Sequence, residues 1–150
     1  MENRQLAQFN YARLLHPLED ERSKGFRDGS TVLTKVAERS AGFVWALDIG
    51  PGGVPDPPIW GDPLISVNMS VWRDLPSLEF FAYNTLHKSW ISRRGQWFEH
   101  LDVPYLVMWW VPPGHQPTID EGLDRLAMLR AEGETERAFG WAFGRAHHGG

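Results

Sequence analysis

His87, Trp90, Ile91, Arg94, Trp97 and Phe98 recur at intervals that gather side chains onto one face of a helix. Tyr83 extends that face if the helix is continuous through Asn84. An aromatic stripe of this kind points inward, so an imidazole and a guanidinium on it need polar partners or a substrate. An imidazole titrates near neutrality, which suits a general base that takes a proton, or an axial metal ligand. Arg94 would offset negative charge beside it. The same residues also have a structural reading, with His87 bonded to a carbonyl and Arg94 paired with a carboxylate or extended to solvent.

A second set comes from alternating segments. Gln8 and Asn10 lie on one side of Leu6 to Leu14, and Asn68, Ser70 and Trp72 on one side of Ile65 to Arg73. Amides on a sheet face indicate that the face is wet or lines a cavity. If both sets share the face that helices leave open, they can hold an oxygen-bearing substrate and stabilise a developing enolate or peroxide anion. In that scheme Asn10 and Asn68 hold the substrate oxygen, with His87 and Arg94 as the other catalytic residues. Gln8, Trp45, Ser70, Trp72, Tyr83, Trp90, Trp97 and Trp110 line the substrate cavity. A solvent-exposed face or a polar dimer interface is the alternative.

The elements that would position these residues follow from periodicity and punctuation. Leu6 to Leu14 alternates as a strand, ended by His16-Pro17, and Glu19-Asp20-Glu21 favours a helix start reaching about Arg39. Gly25 and Gly29 each weaken that helix by about 1 kcal/mol. Gly42 to Asp48 reads as a second strand, Ile65 to Arg73 as a third and Tyr105 to Val111 as a fourth. Between the second and third, Ile49 to Pro63 collects five prolines and four glycines and reads as a packed flap around Ile59-Trp60. Asp74 is an N-cap for a helix through Pro76 to Tyr83, and a further helix is expected over Leu86 to Glu99. Thr118 and Glu121 form a capping box for a helix closing near Gly133. Phe139 to Phe143 is expected to cover a sheet edge or a pocket mouth.

This order matches a ferredoxin-like split βαβ arrangement, an α+β fold with a four-stranded antiparallel sheet and helices on one face. Covering the other face with a second copy gives a homodimer. With 150 residues the chain suits one domain, with an ordered core over about 6–143 and a frayed C-terminal tail. A net charge of -4 speaks against nucleic acid, and the longest apolar run is too short to cross a membrane. The absence of cysteine excludes disulfides, thiolate zinc sites and a cysteine nucleophile. The N-terminus lacks the pattern of a secretory signal, so a cytoplasmic protein is expected. No metal-ligand spacing occurs, and neither a metal nor another cofactor is expected. Eight Trp and eight Phe are more aromatic surface than such a core needs, which leaves two readings open, a Trp-rich core or an aromatic-lined pocket for a small aromatic or hydrophobic molecule.

Asn68-Met69-Ser70-Val71-Trp72, His87, Arg93-Arg94-Gly95-Gln96-Trp97-Phe98 and the run from Leu106 through Trp109-Trp110-Val111-Pro112-Pro113-Gly114-His115-Gln116-Pro117-Thr118 carry a resemblance. Over about Leu6 to Phe143 the chain resembles the bacterial domain of unknown function 3291 family. The resemblance implies the dimeric α+β barrel superfamily, which includes cofactor-independent antibiotic-biosynthesis monooxygenases, haem-degrading and haem-binding enzymes, and small dehydratases or isomerases. Asn10, Trp90 and His87 are residue types that haem-degrading relatives use, but there the Trp precedes the His, and here it follows. The expectation is a small-molecule enzyme with cofactor-independent monooxygenase-like chemistry on an aromatic or polyketide-type substrate. A dehydratase, cyclase or isomerase, a haem-binding protein with His87 as ligand, and a non-catalytic dimeric scaffold are the alternatives.

Overall fold

A computed structural model of the protein describes residues 3–83 and 94–147. Strand β1 (Gln5–Arg13) leads through a single 3-10 turn to helix α1 (Lys24–Glu38), followed by β2 (Phe43–Ala46), β3 (Ile65–Trp72) and α2 (Leu75–Ala82). Then come β4 (Leu106–Val111), α3 (Ile119–Glu132) and α4 (Trp141–His147). The strands form one antiparallel sheet in the order β2-β3-β1-β4. This is the ferredoxin-like α+β fold expected from the element order.

The caps act where the side chains require them. Asp20 accepts a bond from the Arg22 amide and closes the 3-10 turn over Glu21–Ser23, so the α-helix begins at Lys24 rather than at the acidic run. Asp74 accepts from the Ser77 amide, and Thr118 accepts from the Glu121 amide. Each satisfies a donor that the first helical turn leaves unpaired. Gly25 lies against Trp97, where a Cβ would come within 3.1 Å of the indole. The glycine that lowers helix propensity therefore makes room for a packed ring.

Because side chains alternate along a strand, the register defines two faces. Leu6, Gln8 and Asn10 stand opposite Trp72, Ser70 and Asn68 on β3, and opposite Trp110, Met108 and Leu106 on β4. Ala7, Phe9 and Tyr11 share the other face with Val67, Met69, Val71, Val107 and Trp109. On the first face the two ends of α1 reach separate clusters. Phe26 joins Leu14 and Trp97, whereas Ala37 joins Leu6, Trp72, Leu75, Leu78, Met108 and Phe139.

The second face is closed within the same chain. Leu126 and Leu129 of α3, together with Ile59 of the flap, complete its apolar cluster. Every inward residue of that face from Ala7 to Tyr11 is buried. The covering that sequence reasoning assigns to a second copy is thus supplied by α3, which the chain adds to the ferredoxin-like core. Gly122 allows the approach, since a Cβ there would fall 2.6 Å from the Phe9 ring.

The flap over 49–63 is packed, as its composition suggests. Ser66 donates to the Gly52 carbonyl at 2.5 Å, and the Gly52 amide donates to Ser30 of α1 at 2.9 Å. Arg13 ties the flap to β1 by pairing with Asp62 at 2.7 Å, and it also pairs with Glu99. The Arg13 hydrogen bond holds the Asp62 carboxyl below the usual carboxylate range. At the other edge of the sheet, Phe139 exchanges both backbone bonds with Met108 at 2.7 and 3.0 Å. The Phe139 to Phe143 stretch therefore does cover an edge. No described helix is long and apolar enough to cross a membrane.

Candidate functional site

Between the two clusters on the first sheet face lies a strip of hydrogen-bonded polar side chains. Gln8 is its centre and is only 4% exposed. Its amide nitrogen donates to Ser70 Oγ at 2.9 Å and to Asn68 Oδ1 at 2.6 Å, and its oxygen accepts from Asn10 Nδ2 at 2.9 Å. At the closed end, Trp72 Nε1 donates to the same Ser70 oxygen at 2.9 Å. A buried amide left unpaired would be costly, so the pairing of Gln8 at three points fixes which way each neighbouring amide faces.

That orientation has a chemical consequence. Asn10 spends its donor on Gln8 and presents its oxygen, while Asn68 spends its oxygen and presents its NH2 group. Among the described residues neither free end has a hydrogen-bond partner, and Asn68 is exposed. Since Asn10 and Asn68 stand directly opposite each other in the register, the strip ends in a side-by-side acceptor and donor. Such an edge complements a hydroxyl adjacent to a carbonyl. The donor can also hold an oxygen that gains negative charge.

The other sequence-predicted residues divide into three groups. Gln8, Asn10, Asn68, Ser70 and Trp72 come together as described, but on the face that α1 and α2 pack against rather than on one left open by helices, and Trp110 shares that face beside Leu6, with Arg4 over its ring at 4.0 Å. His87 and Trp90 lie outside the described residues, as does the Arg94 side chain. Three expectations are corrected. Trp45 faces the opposite side, aligned with Val71 and packed on the aliphatic core, because an irregularity between Phe43 and Trp45 breaks the alternation of β2.

Trp97 is the second correction. Only Arg94–Gln96 forms a 3-10 turn there, and Phe98 then bridges Leu14 in antiparallel fashion while Leu15 donates to the Trp97 carbonyl at 2.8 Å. The helix expected over Leu86 to Glu99 does not extend through Trp97 to Glu99, because this stretch pairs with the end of β1. Trp97, 4% exposed, is sealed beside Phe26 and Leu14 instead of walling a cavity. Third, Tyr83 caps α2 at an exposed position, with Trp141 and Arg145 as neighbours rather than the strip.

One constellation escaped sequence reasoning. Glu121 accepts from Trp109 Nε1 at 2.9 Å and bonds His115 Nε2 at 2.8 Å. Burial pushes the Glu121 carboxyl up, but the bonds from His115 and Trp109 outweigh it and leave a net lowering. The capping box located Glu121 correctly. Its second task, reaching across to β4, depends on α3 lying against the sheet.

A four-stranded sheet in the order β2-β3-β1-β4, with a polar strip held between apolar clusters, defines a ferredoxin-like α+β protein. Two solved structures share this overall fold: PA3566 from Pseudomonas aeruginosa, with a TM-score of 0.53, and a Nitrosomonas europaea protein named "Putative antibiotic biosynthesis monooxygenase", with 0.51. Each is 10% identical and covers 77% of this chain; the match spans 99% of the first protein and 94% of the second. At that identity the likeness is one of fold. The chain itself belongs to the domain of unknown function family DUF3291, which matches residues 5–148. No curated protein matches it.

Proposed function

We propose that the protein is a small-molecule enzyme with cofactor-independent, monooxygenase-like chemistry on an aromatic or polyketide-type substrate carrying a hydroxyl next to a carbonyl. The observation that carries this reading is the oriented pair at the end of the Gln8 strip, with Asn68 offering a donor and Asn10 an acceptor. Support also comes from the fold shared with the Nitrosomonas europaea protein named as an antibiotic biosynthesis monooxygenase.

In this reading His87 takes a proton from a substrate CH2 group conjugated to the carbonyl through the aromatic rings, and Asn68 holds the carbonyl oxygen that becomes negative. The carbanion then reduces dioxygen directly. A CH2 group becomes C=O, one oxygen atom entering the product and the other leaving as water, so all electrons come from the substrate. Arg94 offsets the transient negative charge. A homodimer is retained, and because α3 closes the second sheet face, its contact would lie outside the bare sheet; sedimentation velocity reads it directly.

The test is oxygen uptake by the full chain with a hydroxy-anthrone substrate, followed by mass analysis of the product. Uptake with gain of one oxygen and loss of two hydrogens is expected. Asn68→Ala should lower kcat by roughly 100-fold, the scale of losing one oxyanion donor. Loss of water, or an isomer of unchanged mass, would replace oxygenation with dehydration or isomerisation in the same site. A turnover that Asn68→Ala and His87→Ala leave untouched would remove the strip as its seat.

A further inference from the structure

The flap and α3 flank an open surface cleft on the opposite side of the sheet from the Gln8 strip. Its volume is about 420 Å³, within the range of small-molecule sites, and its walls are Trp60, Leu123, Leu126, Ala127, Arg130 and Ala131. Three features distinguish it from an ordinary surface dent.

The first is Trp60. Its side chain is 60% exposed although it is the largest apolar group of the flap. Its backbone sits at φ 55° and ψ 23°, the left-handed region that a bulky residue rarely adopts. The turn persists in that conformation because both flanks are anchored: Ile59 is buried in the core and Asp62 pairs with Arg13. Tyr11 meets the indole edge-on at 5.3 Å and helps fix its position. Strain of this kind, held by its surroundings, concentrates at ligand clamps.

The second feature is the wall that α3 presents. Leu123, Ala127 and Ala131 recur every four residues and form one ridge, and two of the three are small. Larger side chains at those alanines would fill the space beside the indole. The third is Arg130. Its Nε donates to the Pro104 carbonyl and its Nη2 to the Tyr11 hydroxyl, both at 2.9 Å, which leaves Nη1 without a partner among the described residues. No described carboxylate pairs with it. An exposed guanidinium held by two hydrogen bonds, with no described carboxylate paired to it, thus lines the cleft beside the indole.

These features select one ligand chemistry. A purely apolar molecule would leave the guanidinium unused, and a bare phosphate would not engage the indole. A ring stacks on tryptophan, and a carboxylate satisfies arginine with charge-assisted bonds. We propose that this cleft binds a planar aromatic carboxylate, with its ring against Trp60 and its carboxylate on Arg130. The assignment is independent of the reaction proposed for the Gln8 strip, because no residue is shared between them.

The experiment is calorimetric titration of the full chain with naphthoate and with its neutral amide, naphthamide. Naphthoate should bind, and naphthamide should bind more weakly by about tenfold or more. Trp60→Gly, which removes the indole while accommodating the positive φ, should weaken naphthoate by about tenfold without lowering the unfolding midpoint. Arg130→Gln should weaken it to a similar extent, and Ala127→Leu, an exposed substitution, should block it. The proposal is overturned if naphthoate fails to bind at millimolar concentration, or if all three variants bind it as the parent does. It is also overturned if sedimentation shows a dimer that Trp60→Gly dissolves, since a second copy would then occupy the cleft.

Discussion

Gln8 shows how one buried amide sets the chemistry of its neighbours. Its three bonds orient Asn10 and Asn68 in opposite senses, so one offers an acceptor and the other a donor. Replacement by leucine keeps the volume roughly but removes all three bonds. Gln8→Leu should destabilise the fold by about 1–3 kcal/mol, the scale of leaving a buried polar partner unsatisfied. Urea unfolding should show a lower midpoint with an unchanged slope. Any activity should fall further than stability does, because the released amides can rotate. Equal oxygen uptake in a folded Gln8→Leu protein would show that amide orientation is irrelevant to turnover.

At the scale of elements, α3 is the segment whose placement matters most. Its first turn is held twice, by Thr118 as cap and by Glu121 bonded to Trp109 and His115. The Glu121 carboxyl is lowered in the folded chain, so it binds its proton less readily there than when unfolded. Its contribution to stability is therefore complete above the ordinary glutamate range and is lost as pH falls below that range. Glu121→Gln should be less stable than the parent at neutral pH and should show a shallower loss in acid. Chemical denaturation at a series of pH values reads both, and parallel pH profiles for the two proteins would contradict this role. The sequence made the cap legible because Thr118 and Glu121 are neighbours on one turn. The bond to Trp109 was not legible, because it forms only when the helix docks.

For the whole molecule, the C-terminal segment decides whether the sheet has an open edge beside β4. Phe139 pairs with Met108 through the backbone and is buried at 1% exposure among Leu6, Trp72 and Leu75. Phe139→Ala should cost about 3–5 kcal/mol, as expected for removing a large ring from a core. Thermal unfolding should register this as a clear drop in Tm. A drop no larger than that of a surface substitution would mean that the segment merely rests on the sheet.

Much of this arrangement could be read along the chain because its causes are local. Alternation assigned Gln8 and Asn10 to one side of β1 and Asn68, Ser70 and Trp72 to one side of β3, and short-range side-chain bonds marked the starts of α2 and α3. Alternation failed at Trp45, where the irregularity in β2 shifts the parity, and helical spacing failed at Trp97, where pairing with the end of β1 overrides it. Bonds such as Gln8 to Asn68 and Ser70 span 60 and 62 residues, and no local pattern specifies them. Strand adjacency, amide direction and the docking of α3 all depend on which distant surfaces meet. Local chemistry set the faces; burial against distant partners chose what each face would touch.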